Sequence, residues 1–410
     1  MSYQFRSDIS PKEFDAFVHQ SAQNNLFQES SWAAIKNNWV SFLTGIYDDQ
    51  RLVGTGLVLM RRLFGPYQLF YLPRGPILDV QNEAQVTFYF QELKKFAKSK
   101  KAIAIRFDPY LISRSYPYEQ RKQKPERQLE NYVALLKKLG IQHKGYTILM
   151  EESTQPRFNA CKHVEEDFFS KLPNQTRRYI RFTKEKGIRV LEGSQYIDEL
   201  AKSMHYTELR KKIALRSEDY FKHMLEVYKD RSISMIAVLN FPKQIAHLKQ
   251  EISEMETKLE QENLPRKQLE KVNQTLTKDR KELVICESLY QKEGKDEVVT
   301  CGLLGAYNNG VMELFYMGNH PDYLHFYSSF RLYYEAIQRC AELKIPYCSF
   351  GGIEGTLEDG LTMFKSKWNM EVEELLGEFN MVLNPVLYIG FDRLYPKLRA
   401  LVAKRRGKNK

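Results

Sequence analysis

Little in this chain points to disulfide, metal or membrane-spanning chemistry. Only five of its 410 residues are cysteine, Cys161, Cys286, Cys301, Cys340 and Cys348. They stand singly, mostly in apolar surroundings such as VVTCGLL and PYCSF, with no CxxC pair and no HxxxH helix, and are read as reduced core thiols. No run of about 18 apolar residues occurs, and the first residues, MSYQFRSDISPKEF, lack the apolar stretch of a secretory leader. The expectation is a cytosolic protein. No Ser-His-Asp arrangement is apparent, so chemistry by direct attack, without a covalent enzyme intermediate, is the simpler expectation.

One region also lacks negative charge. Residues 172–190, LPNQTRRYIRFTKEKGIRV, set Arg177, Arg178, Arg181, Lys184, Lys186 and Arg189 beside a single acid, Glu185. Over the whole chain 62 Lys and Arg oppose 51 Asp and Glu, a net charge of +11. That surplus favours a polyanionic partner: nucleic acid, an anionic membrane surface or a phosphorylated substrate. Pro173 suits a first helical turn and Gly187 a helix end, so the stretch is expected to be a helix. On it Arg177, Arg181 and Lys184 share one face, with Tyr179 and Phe182 roughly opposite. Like charges so spaced repel, which makes phosphate binding the leading use, beside a merely soluble face.

Hydrophobic residues make up 43% and aromatics 13%, ample for packed cores, and the length suggests two or three units. The first half reads as helices PKEFDAFVHQ and SSWAAIKNNWV, a β-hairpin LTGIYDDQRLVGTGLVLMRRL, a strand YQLFYLPRGPIL, a helix AQVTFYFQELKKFAKSK and a strand AIAIRFDP. From residue 188 a similar order returns: IRVLEG, two helices, ISMIAVL, a hairpin turning at Asn308, Asn309 and Gly310, a helix, and IPYCSFGG. The chain is duplicated in shape though not in letters. The fold class is mixed α/β.

The second copy carries one insertion between ISMIAVL and VVTCGLLGA. There Ile245, Leu248, Ile252, Met255 and Leu259 alternate three and four apart, and Leu269, Val272, Leu276 and Leu283 resume after Pro265. A proline cannot sit inside a helix, so an antiparallel helical hairpin arm is expected, with a single dimerising helix as the alternative. The expected subdomains are 1–170 and 171–240 with 295–382, the arm 241–294, and a basic amphipathic tail 383–410.

Arg51-Leu52-Val53-Gly54-Thr55-Gly56 matches the RxxGxG pattern of a CoA pyrophosphate loop. Such a loop works between a strand and a helix, where backbone N–H groups and the helix dipole converge. Here LVLMRRL follows, a strand, so the glycines are assigned to the hairpin.

The strings YLPRGPILD, RFDPYL, TRRYIRFTKEKGI, FYMGN, FGGIEG and MFKSKWN, with the duplicated halves and the arm, give a chain that resembles the Fem-type peptidoglycan-bridge aminoacyltransferases, most of all their streptococcal MurM/MurN branch. The resemblance spans nearly the whole chain. It implies two GCN5-acetyltransferase-like subdomains in tandem with an inserted antiparallel coiled-coil arm. It also implies transfer of an amino acid, L-alanine ahead of serine or glycine, from aminoacyl-tRNA to the stem-peptide lysine or growing bridge amine of lipid II. No cofactor is called for. Both substrates are polyanions and lipid II lies on the inner membrane face, so cations and peripheral membrane contact are expected; other bridge-synthesis aminoacyltransferases join the partner list.

By the same resemblance Phe364 and Lys365 match a Phe-Lys pair placed near the acceptor stem and the reacting ester. Lys36 matches a lysine that meets precursor phosphate, and Arg210 or Arg216, with Tyr220, falls where a second phosphate-binding arginine occurs. Asp108 stands where the stem-peptide end is touched, and as a carboxylate could accept a proton; an aspartate before proline is also an ordinary turn residue. Arg177, Arg178, Arg181 and Lys184 are the tRNA or phosphate candidates. Gly351 and Gly352 bring backbone N–H groups to a ligand or simply serve a turn. The arm could support tRNA, brace its domain or meet a partner; the tail could lie on anionic lipid, touch RNA or fray. Two rivals stay open, an acyl-CoA-dependent N-acyltransferase and a non-enzymatic RNA-binding or scaffolding protein.

Overall fold

In the computed structural model, which describes residues 3–211, 216–261 and 264–392, the first half of the chain alternates strands and helices. In order these are β1 (Tyr3–Arg6), α1 (Pro11–Gln20), α2 (Ser30–Ile35), β2 (Val40–Asp48), β3 (Arg51–Phe64), β4 (Tyr67–Leu72) and α3 (Glu83–Ser99). Then come β5 (Ala102–Phe107), β6 (Ile112–Pro117), α4 (Glu130–Lys138), β7 (Gln142–His143) and β8 (Phe158–His163). The order returns with α5 (Phe168–Lys171), α6 (Asn174–Glu185), β9 (Arg189–Glu192), α7 (Ile197–Lys211), α8 (Glu218–Tyr228) and β10 (Ser232–Asn240). After α9 (Phe241–Gln261) and α10 (Arg266–Glu293) follow β11 (Glu297–Tyr307), β12 (Val311–Asn319), α11 (Ser328–Glu342) and β13 (Tyr347–Ile353). The last elements are α12 (Gly360–Ser366), β14 (Glu371–Leu375) and β15 (Phe379–Val382).

Local chemistry explains the boundaries. Ser10 caps α1 through the N–H of Glu13 and Pro11 occupies its first turn, a favourable start because that turn has no internal use for a proline N–H. Asn82 caps α3 and Asp359 caps α12. Helix α2 stops at Ile35, six residues long, so the expected helix SSWAAIKNNWV is halved and Lys36 becomes its C-cap.

Contacts divide the chain into two units, one of residues up to Glu165 with Tyr307–Glu313 and the chain from Lys344, the other Glu166–Ala306 with Leu314–Leu343. These units differ from the expected subdomains in where the last segment packs. Strand β15 lies between β5 and β7, giving a first sheet ordered β1-β2-β3-β4-β5-β15-β7. Its core stacks Phe107 on Phe379 and packs a tilted Phe90 against Phe107. The same unit holds β6-β14-β8-β13, against which the opening residues of β12 pair in parallel, Glu313 opposite Ser349. The other unit carries β9-β10-β11 with the rest of β12, over a core that includes Phe221, Tyr228, Phe241 and Phe326.

Glycines in β3 answer the CoA motif. Gly54 and Gly56 lie inside the strand, paired with Ile46 and Thr44, so no loop forms there. A Cβ on Gly56 would sit 2.0 Å from the Tyr89 hydroxyl, which shares a 2.9 Å hydrogen bond with Thr44. Helix α3 therefore lies on the strand at a distance only glycine permits. Gly56→Ala is expected to lower stability by about 1–3 kcal/mol, read as a lower urea midpoint at unchanged m-value.

The insertion is a helical pair. Lys249 pairs with Glu287 and Arg280 with Glu256; one index rises as the other falls, so α9 and α10 run antiparallel. Leu248, Ile252 and Leu276 are buried between them while Leu269 is 40% exposed, so the seam tightens toward the base. Helix α10 ends on Gly294 in the left-handed region. All five cysteines are buried and none is in a disulfide. Residues 385–392 are helical; the rest of the basic tail lies outside the described residues. Among the described residues no helix is long and apolar enough to cross a membrane.

Candidate functional site

Lys365 anchors a polar cluster in the first unit. Its side chain is 4% exposed, and its ammonium donates to the carbonyls of Gly351 and Gly352 at 3.1 and 3.0 Å. Those carbonyls are turned toward it by a kink. Pairing of β13 with β8 shifts register between Ser349 and Gly351, and Gly351 has φ +78°, a conformation that excludes a Cβ without strain. At Gly352 a Cβ would fall 2.4 Å from Pro156. Both glycines are thus required by the backbone. The Gly351 N–H donates to Ser349 Oγ, and the carbonyls of both glycines accept from Lys365. Phe364, beside Lys365 on α12, is half-buried.

Asp108 follows β5 and is 2% exposed. One carboxylate oxygen accepts the Tyr71 hydroxyl and the other the Arg74 N–H, each at 2.7 Å. Arg74, left-handed at φ 54°, sends its guanidinium to the Pro156 carbonyl. The quoted strings YLPRGPILD and RFDPYL are therefore one structure: the aspartate holds the loop that carries Arg74. Burial pushes the Asp108 carboxyl up to about 6, with Arg74 pulling the other way. The folded state then binds this proton more tightly than the unfolded chain, so the ionised form is a burden at neutral pH. Relative to Asp108→Asn, the wild type is expected to gain stability, by on the order of 2–3 kcal/mol, as pH falls from about 6 to 4. Denaturant melts of both proteins across that window check the sign.

Glu313, which the sequence reading passed over, lies half-buried opposite Ser349. Burial pushes its carboxyl up to about 7; a hydrogen bond with Ser349 and the charges of Arg74 and Lys365 pull it down, and Glu373 pushes it up. Glu373 itself is 2% exposed and accepts the hydroxyls of Tyr110 and Tyr347 at 2.8 and 2.7 Å. Asn159 joins this network, donating to Glu373 and accepting from Ser349. Lys36, also in this unit, is half-buried with its ammonium 4.5 Å from the Trp32 ring; the tryptophan face holds it as a cation–π pair.

In the second unit Arg216 lies over the Tyr220 ring at 5.1 Å, and Tyr316 accepts hydrogen bonds from both. Burial drives the Tyr220 hydroxyl well up. Arg210 and Arg216 are both exposed; of the two, Arg216 is the one that lies against the aromatic cluster. Tyr316 stands in the quoted string FYMGN, where its aromatic neighbours marked only a strand.

Helix α6 sorts its cations. Thr176, Ile180 and Thr183 are its buried row; Tyr179 and Phe182, expected opposite the cations, are half-buried against Tyr327, with Tyr179 stacked on it at 4.1 Å. Lys186, beyond its end, is 7% exposed and pairs with Glu282 and Glu251 of the arm, while Arg189 pairs with Glu297. Carboxylates distant in sequence thus neutralise two of the six. Arg177 bonds Asn174 and Lys184 lies over Tyr334 at 4.8 Å. Arg178 and Arg181 are exposed, and no carboxylate among the described residues pairs with either.

The FemAB family model matches residues 9–395. The chain is 26% identical, over 96% of its length and 96% of the relative's, to the lipid II:glycine glycyltransferase of Staphylococcus haemolyticus. It is likewise 26% identical, over 96% of its length and 99% of the relative's, to the aminoacyltransferase FemB of Staphylococcus epidermidis. Among solved structures, FemX superimposes with a TM-score of 0.72 at 22% identity, covering 95% of this chain and 99% of FemX. A tandem GNAT protein from clavulanic acid biosynthesis gives 0.50 at 7% identity, covering 93% of this chain and 99% of that one. These likenesses fix the fold as tandem GNAT with the helical pair α9–α10 inserted.

Proposed function

Because the chain belongs to the FemAB family, we propose that it moves one amino acid from aminoacyl-tRNA to an amine of lipid II during synthesis of the peptidoglycan cross-bridge. L-Alanine is the first choice of cargo and serine or glycine the others, as the resemblance to the MurM/MurN branch suggests. The observation that carries the reading is the seating of Lys365, the family's Phe-Lys lysine, as a buried cation on two glycine carbonyls. An aminoacyl ester is already activated, so the protein's task is to bring a free amine to it and to stabilise the oxyanion that forms. A preorganised ammonium in a site that excludes water suits that second task.

The other residues take supporting roles in this proposal. Asp108 positions the Arg74 loop at the stem-peptide end. Lys36, and Arg216 with Tyr220 and Tyr316, meet precursor phosphate; Arg178 and Arg181 meet tRNA. The enzyme acts at the cytoplasmic face of the membrane, where lipid II lies. An acyl-CoA donor loses its motif, since Gly54 and Gly56 lie within a paired strand. Purified protein given radiolabelled alanyl-, seryl- and glycyl-tRNA with lipid II, unmodified or singly extended, tests the proposal. Label should pass into the lipid. Binding without turnover, or acylation that needs acyl-CoA, would overturn it.

A further inference from the structure

We propose that Glu313 is the proton-transfer residue of this site, its carboxylate taking a proton from the attacking amine and returning one to the departing ribose hydroxyl. The inference rests on the aminoacyltransferase reading given above.

Three features single this residue out. The first is convergence. Glu313 lies opposite Ser349 in the parallel pair β12–β13, and two residues further along β13 the kink at Gly351 turns two carbonyls onto Lys365. A carboxylate, a hydroxyl and an ammonium thus share one short stretch of strand.

The second is access. Asp108 and Glu373 are each 2% exposed, and their oxygens accept from Tyr71, Arg74, Tyr110, Tyr347 and Asn159. Both acids are closed to a substrate. Glu313 keeps an open side, with Ser349 as its neutral side-chain partner.

The third is balance. The charges of Arg74 and Lys365 reach Glu313, while their cationic groups donate to the carbonyls of Pro156, Gly351 and Gly352. The two charges draw the proton affinity of Glu313 down against burial and Glu373. A base serves best when its proton affinity lies near the working pH.

The chemistry closes without a co-reactant. The neutral amine attacks the ester carbonyl carbon, a C–N bond forms, and the carbonyl oxygen becomes an oxyanion near Lys365. The nitrogen of this adduct is now strongly acidic and gives its proton to Glu313. Collapse breaks the C–O bond to the ribose, whose oxygen takes the proton from Glu313. The products are an amide, a free tRNA end and the regenerated carboxylate.

Glu313→Gln in the full chain keeps size and an acceptor for Ser349 but cannot take the proton. With alanyl-tRNA and lipid II, its kcat should fall by about 10²–10³-fold with each KM within about threefold. The acid limb of kcat/KM, expected near pH 7 in the wild type, should vanish. Glu313→Asp should keep the limb with a smaller loss. Ser349→Ala, a second handle that leaves Glu313 in place, removes a hydroxyl shared between Asn159 and Glu313 that favours the ionised carboxylate, so it should move the limb up. Glu313→Gln turnover within a few-fold of wild type would overturn the proposal. So would a raised KM for alanyl-tRNA at unchanged kcat, which would make Glu313 a holder of the donor's ammonium, or an unmoved limb in Ser349→Ala. Wild-type protein that transfers no amino acid from any of the three tRNAs fails a different test, that of the function itself, and takes this inference with it.

Discussion

Lys365→Ala is expected to lower the turnover of aminoacyl transfer by about 10²–10³-fold while the Kd for aminoacyl-tRNA stays within about threefold. The asymmetry follows from where the charge is kept. An ammonium that is 4% exposed and held by two backbone carbonyls adds little to the long-range attraction of a polyanion, which surface cations supply. It is placed to act at short range on charge that appears only as the carbonyl carbon becomes tetrahedral, and such interactions enter kcat rather than binding. The substitution also strips two half-buried carbonyls of their donor, at about 1 kcal/mol each. A fall in melting temperature is therefore expected as well. Lys365→Met, which keeps the aliphatic stem against its neighbours, separates the effects: it should recover part of the packing and none of the turnover. Equal losses of affinity and turnover in both variants would contradict the assigned role.

Much of this architecture could be read before any coordinates. Helix α1 begins and ends where the pattern PKEFDAFVHQ does, the hairpin turns at Asn308 to Gly310 as its residues require, and the arm spans Phe241 to Glu293 around Pro265. These features rest on local periodicity and turn chemistry, which a single chain displays directly. Strands β8, β14 and β15 were not visible. FNACKH, EVEEL and FNMV are short, and β15 gains its place by pairing with β7 and with β5, which lies more than 270 residues earlier.

The site divides along the same line. Lys365 and its two glycines stood on legible strings, and the bend that Gly351 makes, with both carbonyls toward Lys365, fits the turn role read for these glycines beside ligand contact. Asp108 could be singled out as a carboxylate after an apolar strand. That Tyr71 and Arg74 take both its oxygens is a fact of tertiary pairing. Glu313 was the hardest to find. Within VMELFYMG a lone glutamate reads as the outward position of a strand, and nothing nearby in sequence signals Ser349, Arg74 or Lys365. Its surroundings exist only once β13 lies beside β12.

The double substitution Arg178→Ala with Arg181→Ala should weaken aminoacyl-tRNA binding by about tenfold near 0.1 M salt, and make the slope of log K against log salt shallower by about 1.5–2. The choice of pair comes from how α6 distributes its charge. Lys186 and Arg189 are neutralised by glutamates, and Arg177 is tied to Asn174. Arg178 and Arg181, three apart and exposed, are left as like charges on one stretch of helix, a geometry that costs a few tenths of a kcal/mol. No acid occupies the first turn of α6 to favour its dipole. The helix is held instead by its buried row and by the stacking of Tyr179 on Tyr327. Removing both arginines should therefore leave the melting temperature unchanged or slightly higher while binding weakens. Those opposite signs separate a ligand-binding surface from a merely solvated one. If binding and its salt slope stay unchanged, these cations serve solubility alone and the tRNA contact lies elsewhere on the chain. If binding weakens while lipid II affinity holds, the helix is a tRNA element and not a seat for the precursor's phosphates.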